Sequence, residues 1–165
     1  MARPLRIDLP GAIQHVTNRG NNRENIFYDE GDKEAFLYLV IEEAERCGWL
    51  IHDYALMDNH FHLLIETPEV NLSRGMQRLE TTYVQRFNRK YCRTGHLFGG
   101  RFGSQLVEGG AYQMEVARYI VLNPVRAEIV ERPEDYRWTS YRAKAGLDPA
   151  PGWLSMNGLH HFGRD

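Results

Sequence analysis

Between residues 49 and 67 the chain writes two oily runs, WLIHDYALM and HFHLLIET, separated only by Asp58-Asn59. Each run is short, apolar and rich in residues that suit a pleated surface, and a two-residue Asp-Asn break suits a tight turn. The pattern therefore predicts a β-hairpin, with strands over 49–57 and 60–66. Thr67-Pro68 closes the second strand, because proline cannot continue a ladder. Side chains alternate across a strand, so His60 and His62 share one face while Phe61, Leu63 and Ile65 take the other.

What flanks the hairpin fixes the fold class. Residues 11–18 (GAIQHVTN) read as a short strand, and Arg19-Gly20-Asn21-Asn22-Arg23 as a polar loop. Asp29 to Asp32 supplies N-cap chemistry for a helix over 32–47, with Phe36, Leu39, Val40, Ala44 and Cys47 as its buried stripe and Gly48 as its stop. A second helix runs from Leu72 to about Cys92. Leu72, Met76, Leu79, Tyr83, Phe87 and Tyr91 share its apolar face, and Arg74, Arg78, Arg86, Arg89 and Arg93 an adjoining one. A glycine-rich turn over 95–103 leads to a strand at 104–107. A third helix, 110–122, stops at Asn123-Pro124, and the segment to 142 is helical in part. The order β-α-β-β-α-β defines an α+β fold of ferredoxin-like or RRM-like type: an antiparallel sheet with helices packed on one face. That layout makes the arginine helix and the helix bearing Tyr119 neighbours of the mid-sheet histidines.

The net charge of −2 hides a partition. Residues 1–70 carry a net −7, residues 71–105 a net +6 with Glu80 as their single acid, and the remainder a net −1. A local basic block in an acidic chain fits a phosphate-binding surface, and fits equally a solvated helix face whose counter-charges lie elsewhere. No apolar run reaches the roughly 18 residues a membrane span needs, and the N-terminus has no apolar signal core, so no membrane association is expected. Cys47 and Cys92 form no CxxC pair; they suit core or helix positions in a reducing cytoplasm.

Tyr119 and Asn123 stand four residues apart on the third helix and so share a face. Two imidazoles and an amide oxygen are a donor set for Mg²⁺ or Mn²⁺ with positions left for substrate oxygens. A free tyrosine hydroxyl, ionising at about pH 10, attacks a phosphodiester poorly at neutral pH unless the phosphoryl group is polarised. Each signal also has a structural reading. A His-x-His pair can be polar filler, and Asn123 before Pro124 can be a helix terminator. Tyr54, Tyr83 and Tyr91 read as core residues, His15, His52 and His96 as isolated, and His160-His161 as terminal. A phosphodiester substrate is what gives the histidines, the tyrosine and the arginine stripe a common purpose.

With these residues in place, the sequence resembles the HUH single-strand endonucleases and, within them, the REP-associated tyrosine transposases. MARPLRIDLPGAIQHVTNRGNNR, MDNHFHLLIETPEVNLSRGMQRL, QRFNRKYCRTGHLFGGRF and ARYIVLNPVRA carry the resemblance, in family order, over about residues 1–142. The resemblance implies a catalytic domain over 1–142 and a C-terminal tail or small cap over 143–165. It implies metal ligation by His60 and His62, with Asn123 as third ligand, and Tyr119 as nucleophile. It also implies cleavage and rejoining of single-stranded DNA at a hairpin through a 5′-phosphotyrosine intermediate. Candidate phosphate contacts are Arg19, Arg23, Arg74, Arg78, Arg86, Arg89, Arg93 and Arg101. Where the family commonly places an aromatic-Lys pair after Gly-Arg, this chain has Phe102-Gly103. A domesticated hairpin-binding protein without cleavage is the alternative; monomer or homodimer stays open, as do the preferred metal and DNA target.

Overall fold

The computed structural model describes residues 8–156. Four strands, β1 (Ala12–Arg19), β2 (Leu50–Leu56), β3 (His60–Thr67) and β4 (Gly103–Val107), form one antiparallel sheet in the order β2-β3-β1-β4. Helix α1 (Glu30–Cys47) joins β1 to β2 and α2 (Leu72–Lys90) joins β3 to β4. β3 thus sits between the parallel pair β1 and β2, which is the split βαβ arrangement of the ferredoxin-like class. Thr67 is the last residue of β3, and the hairpin turn is the two residues expected, with Met57 N–H donating to the His60 carbonyl at 2.9 Å.

Alternation on β3 builds the main core. Phe61, Leu63 and Ile65 are fully buried beneath α1 and α2, with Val16 from β1 and Ile51 and Leu56 from β2. Phe61 packs on Phe36 of α1 with ring centroids 4.7 Å apart, and Phe36 meets Tyr83 of α2 edge-on at 5.2 Å. The buried side chains of α2 (Leu72, Met76, Leu79, Tyr83, Phe87) are the apolar stripe read from the sequence. α1 starts earlier than expected because Asp29 caps it: its Oδ1 accepts the Asp32 N–H at 2.9 Å. α2 ends at Lys90 rather than at Cys92, which stands beyond the helix at φ 52° and is exposed; Cys47 is buried.

The opposite sheet face is covered by α3 (Ala111–Val121), whose Val116, Ala117 and Ile120 pack on Ala55, Leu64 and Val107. This corrects the expected layout: α1 and α2 share one face, but α3 lies on the other, so the arginine helix is not a neighbour of Tyr119. The third helix ends at Val121, just before Asn123 as expected. After Leu122 (φ −89°, ψ 0°) the chain continues as a short helix α4 (Asn123–Arg126), where Pro124 fits because the first turn of a helix leaves its N–H unused.

Helix α5 (Tyr141–Lys144) runs across the boundary expected at residue 142. The chain beyond it docks on β2: Ser155 N–H donates to the Ile51 carbonyl at 2.8 Å, Trp153 meets Tyr54 at 5.6 Å, and Leu154 is buried. Residues 153–155 are therefore packed against the sheet edge; His160 and His161 lie outside the described residues. Among the described residues no helix is long and apolar enough to cross a membrane.

Candidate active site

β3 presents His60 and His62 on the face that α3 covers only in part. Antiparallel pairing sets Arg19 opposite His60 and Thr17 opposite His62, while His15, two residues earlier on β1, reaches the same face. α3 ends above this patch with half-exposed Tyr119, whose ring stands edge-on to His62 at 5.7 Å and to His15 at 6.2 Å. Residues His15, Thr17, Asn18, Arg19, His60, His62, Gly103 and Tyr119 line an open cleft of about 420 Å³. The sequence-predicted Tyr119, His60, His62 and Asn123 thus meet at one place, and a single chain provides all four.

Asn123 bridges the two histidines. Its Oδ1 lies 3.3 Å from Nε2 of His60 and its Nδ2 lies 3.1 Å from Nε2 of His62. The far nitrogen of His60, Nδ1, lies 2.7 Å from Oδ1 of Asn59, and Asn59 is itself fixed by donating from Nδ2 to the Arg23 carbonyl at 3.3 Å. An amide oxygen can only accept, so the His60 proton is on Nδ1 and Nε2 is bare. Nε2 of His60 and Oδ1 of Asn123 therefore face each other as two acceptors, an arrangement that a cation between them relieves. The donor set, two imidazole nitrogens and one amide oxygen, suits Mg²⁺ or Mn²⁺, with the borderline nitrogens favouring Mn²⁺. No carboxylate or thiolate lines the cleft, and among the described residues no group of three His, Cys, Asp or Glu side chains is placed to hold a metal ion.

The electrostatics keep this pair available as neutral ligands. Burial pushes the His62 imidazole down to about 3, reinforced by His15, His60 and Arg19. Burial also lowers His60, partly offset by the Asn123 oxygen, which would accept from the protonated ring, and burial lowers His15. Metal ligation needs the unprotonated ring, so the fold supplies the correct form over the physiological range.

The predicted arginines divide. Arg19 lines the cleft. Arg23, at φ 60°, lies on the adjoining loop with its carbonyl holding Asn59. That loop is tight because a Cβ at Gly20 would stand 1.9 Å from the Glu24 carbonyl oxygen. Arg78 is engaged by buried Glu43 through two contacts of 2.7 and 3.0 Å, and Arg93 by Asn88 at 3.0 Å, with Glu24 at 4.0 Å. Arg74, Arg86 and Arg89 are exposed on α2, across the sheet from Tyr119; Arg101 is exposed on the glycine-rich loop. Gly103 pairs with Thr17 and lines the cleft, where a Cβ would stand 3.3 Å from Thr17 Oγ1.

Three residues at the site escaped the sequence reading. His15 was read as isolated, but strand pairing puts it beside His62; its parity on β1 was the available signal. Asn59 was read as a turn residue only. Arg126, seven residues after Tyr119, stacks its guanidinium 4.9 Å from the Tyr119 ring, which required the short helix α4 to follow directly after α3.

A ferredoxin-like domain with a His-hydrophobic-His strand and a helical tyrosine on the same face is the class of protein these features define. The family model of IS200-like transposases matches residues 10–123, and the chain belongs to that family. The structure of a REP-associated tyrosine transposase bound to a REP hairpin is similar to this chain with a TM-score of 0.76 at 15% identity, covering 94% of this chain and 92% of that one. A crystal structure described as a transposase of Deinococcus radiodurans R1 gives a TM-score of 0.49 at 16% identity, over 73% of this chain and 94% of that one. No curated protein matches the sequence.

Proposed function

We propose that this member of the IS200-like transposases is a metal-dependent, tyrosine-nucleophile strand transferase acting on single-stranded DNA at hairpins in the cytoplasm. The observation that carries the reading is the meeting of Tyr119 with the His60–Asn123–His62 cluster within one chain, the Tyr119 ring lying 5.7 Å from that of His62. Oη of Tyr119 attacks the scissile phosphorus, a tyrosyl O–P bond forms, and the P–O3′ bond breaks. The product is a 5′-phosphotyrosine and a free 3′-OH, the 3′ oxygen gaining a proton as the tyrosine loses one. Attack by another 3′-OH reverses the exchange and joins DNA.

The chain's own residues do the positioning. His60, His62 and Asn123 would hold the cation, whose bound form supplies Lewis-acid polarisation of a non-bridging phosphate oxygen. Arg126 stacks on the Tyr119 ring and restricts where its hydroxyl points. Arg19 provides positive charge in the cleft beside the phosphate, with Arg23 on the loop behind it. Arg74, Arg86, Arg89 and Arg101 offer a further cationic surface to the hairpin away from the reacting phosphate, while Arg78 and Arg93 contribute less because they already have protein partners.

The test is Tyr119→Phe with a labelled single-stranded hairpin substrate and Mn²⁺. The covalent adduct is expected to disappear while hairpin binding stays within about threefold of wild type, since the hydroxyl contributes little uniform binding. Undiminished adduct would overturn the assignment of the nucleophile. Wild-type protein that binds the hairpin but forms no adduct would favour the non-cleaving binder.

A further inference from the structure

His62 is held from behind by a second imidazole. Nδ1 of His62 lies 2.9 Å from Nε2 of His15, and the two rings stack with centroids 5.1 Å apart and planes 22° apart. One proton is shared across that contact, and its owner decides which form His62 takes. On the other side of the ring, Nε2 of His62 faces the Asn123 Nδ2 donor at 3.1 Å. A donor there requires a bare Nε2, so the His62 proton belongs on Nδ1 and is donated to Nε2 of His15, whose own proton then sits on Nδ1.

We propose that His15 is a positioning residue of the active site: it accepts the His62 Nδ1 proton and thereby holds Nε2 bare toward Tyr119 and Asn123. The role rests on the strand-transferase reading and is separable from it. The competing arrangement turns Asn123 over and lets His15 donate; it adds a hydrogen bond from Asn123 Nδ2 to His60 Nε2 but places the His62 proton on Nε2 and removes a ligand lone pair, so a cation between His60 and Asn123 favours the first arrangement. His15 thus does for His62 what Asn59 does for His60. The two supports are of different kinds: Asn59 is adjacent in sequence, whereas His15 arrives by the pairing of β1 with β3. A fixed tautomer and ring orientation is what makes an imidazole an effective ligand, and loss of such a partner weakens metal binding by about 10- to 100-fold.

The experiment uses the full chain. Long-range ¹H–¹⁵N spectra of the metal-free protein report which His62 nitrogen carries the proton, and titration with Mn²⁺ alone gives its affinity. The expected wild-type result is the Nδ1–H form. His15→Phe keeps a stacked ring but removes the acceptor; it should shift His62 toward the Nε2–H form and weaken Mn²⁺ binding by about 10- to 100-fold, with His15→Gln, which restores a carbonyl acceptor, returning to within about threefold of wild type. An Nε2–H form in the wild type, or an unchanged tautomer and affinity in His15→Phe, overturns the proposal. If His15→Phe does not fold, the wild-type tautomer and the His15→Gln affinity still decide. Wild-type protein that takes up no Mn²⁺ would count against the metal-bearing reading, while the metal-free tautomer tests His15 by itself.

Discussion

Asn59 accepts from Nδ1 of His60 at 2.7 Å, although the two residues are adjacent in the chain and one belongs to the turn while the other opens the strand. The contact commits His60 to one tautomer before any substrate arrives. Asn59→Ala should therefore leave the hairpin intact and lower Mn²⁺ affinity by about 10- to 100-fold, as measured by calorimetric titration. Unchanged affinity would mean that the turn has no part in preparing the ligand.

The burial that keeps these rings neutral has a cost at low pH. His62 is pushed down to about 3 from the free value of 6.5, so between those values the unfolded chain takes up a proton that the folded chain refuses. Stability from this site is therefore fully present above the free value and is lost as pH falls through the window; His60 and His15, also lowered, act with the same sign. Asp53, raised by burial to about 6, acts oppositely, holding a proton that the unfolded chain releases. Urea denaturation of the metal-free protein at pH 7 and pH 4.5 should show a loss for wild type that shrinks by about 2 kcal/mol in His62→Gln. Equal losses in the two proteins would sink this account.

Phe61 lies between the two histidines in sequence and under the sheet in space. It is fully buried between Phe36 at 4.7 Å and Phe98 at 6.0 Å, so Phe61→Ala should destabilise the protein by about 3–5 kcal/mol in chemical denaturation. Phe61→Leu should keep the fold, with a smaller stability loss and less adduct per unit of folded protein, because the strand carrying both histidines is no longer held in a single position.

Arg19 and Arg78 separate two roles that look alike in sequence. Arg19 lines the cleft, whereas Arg78 is bound to Glu43 on the far side of the sheet. Arg19→Ala should weaken DNA binding and reduce the slope of log affinity against log salt by about 1. Arg78→Ala should leave both nearly unchanged and instead lower Tm, since buried Glu43 then keeps only Arg46 as a close cation, beside the Cys47 thiol. Matching effects of the two variants on the salt slope would contradict the division.

Much of the molecule was determined by the sequence alone. Period-2 alternation over 60–66 fixed which residues of β3 face the core, the stripe over Leu72–Phe87 fixed the buried face of α2, and four-residue spacing put Tyr119 and Asn123 together. These follow from local geometry, which spacing encodes directly. Only the tertiary structure decided that α3 covers the opposite face from α2, which separates the arginine stripe from Tyr119. It alone brought His15 to His62 and Arg126 to Tyr119 and gave Arg78 to Glu43. Those relations depend on strand register, on the side of the sheet a helix crosses and on the short helix α4 that follows the end of α3. Each is set by the burial of the whole core, and no local spacing records it.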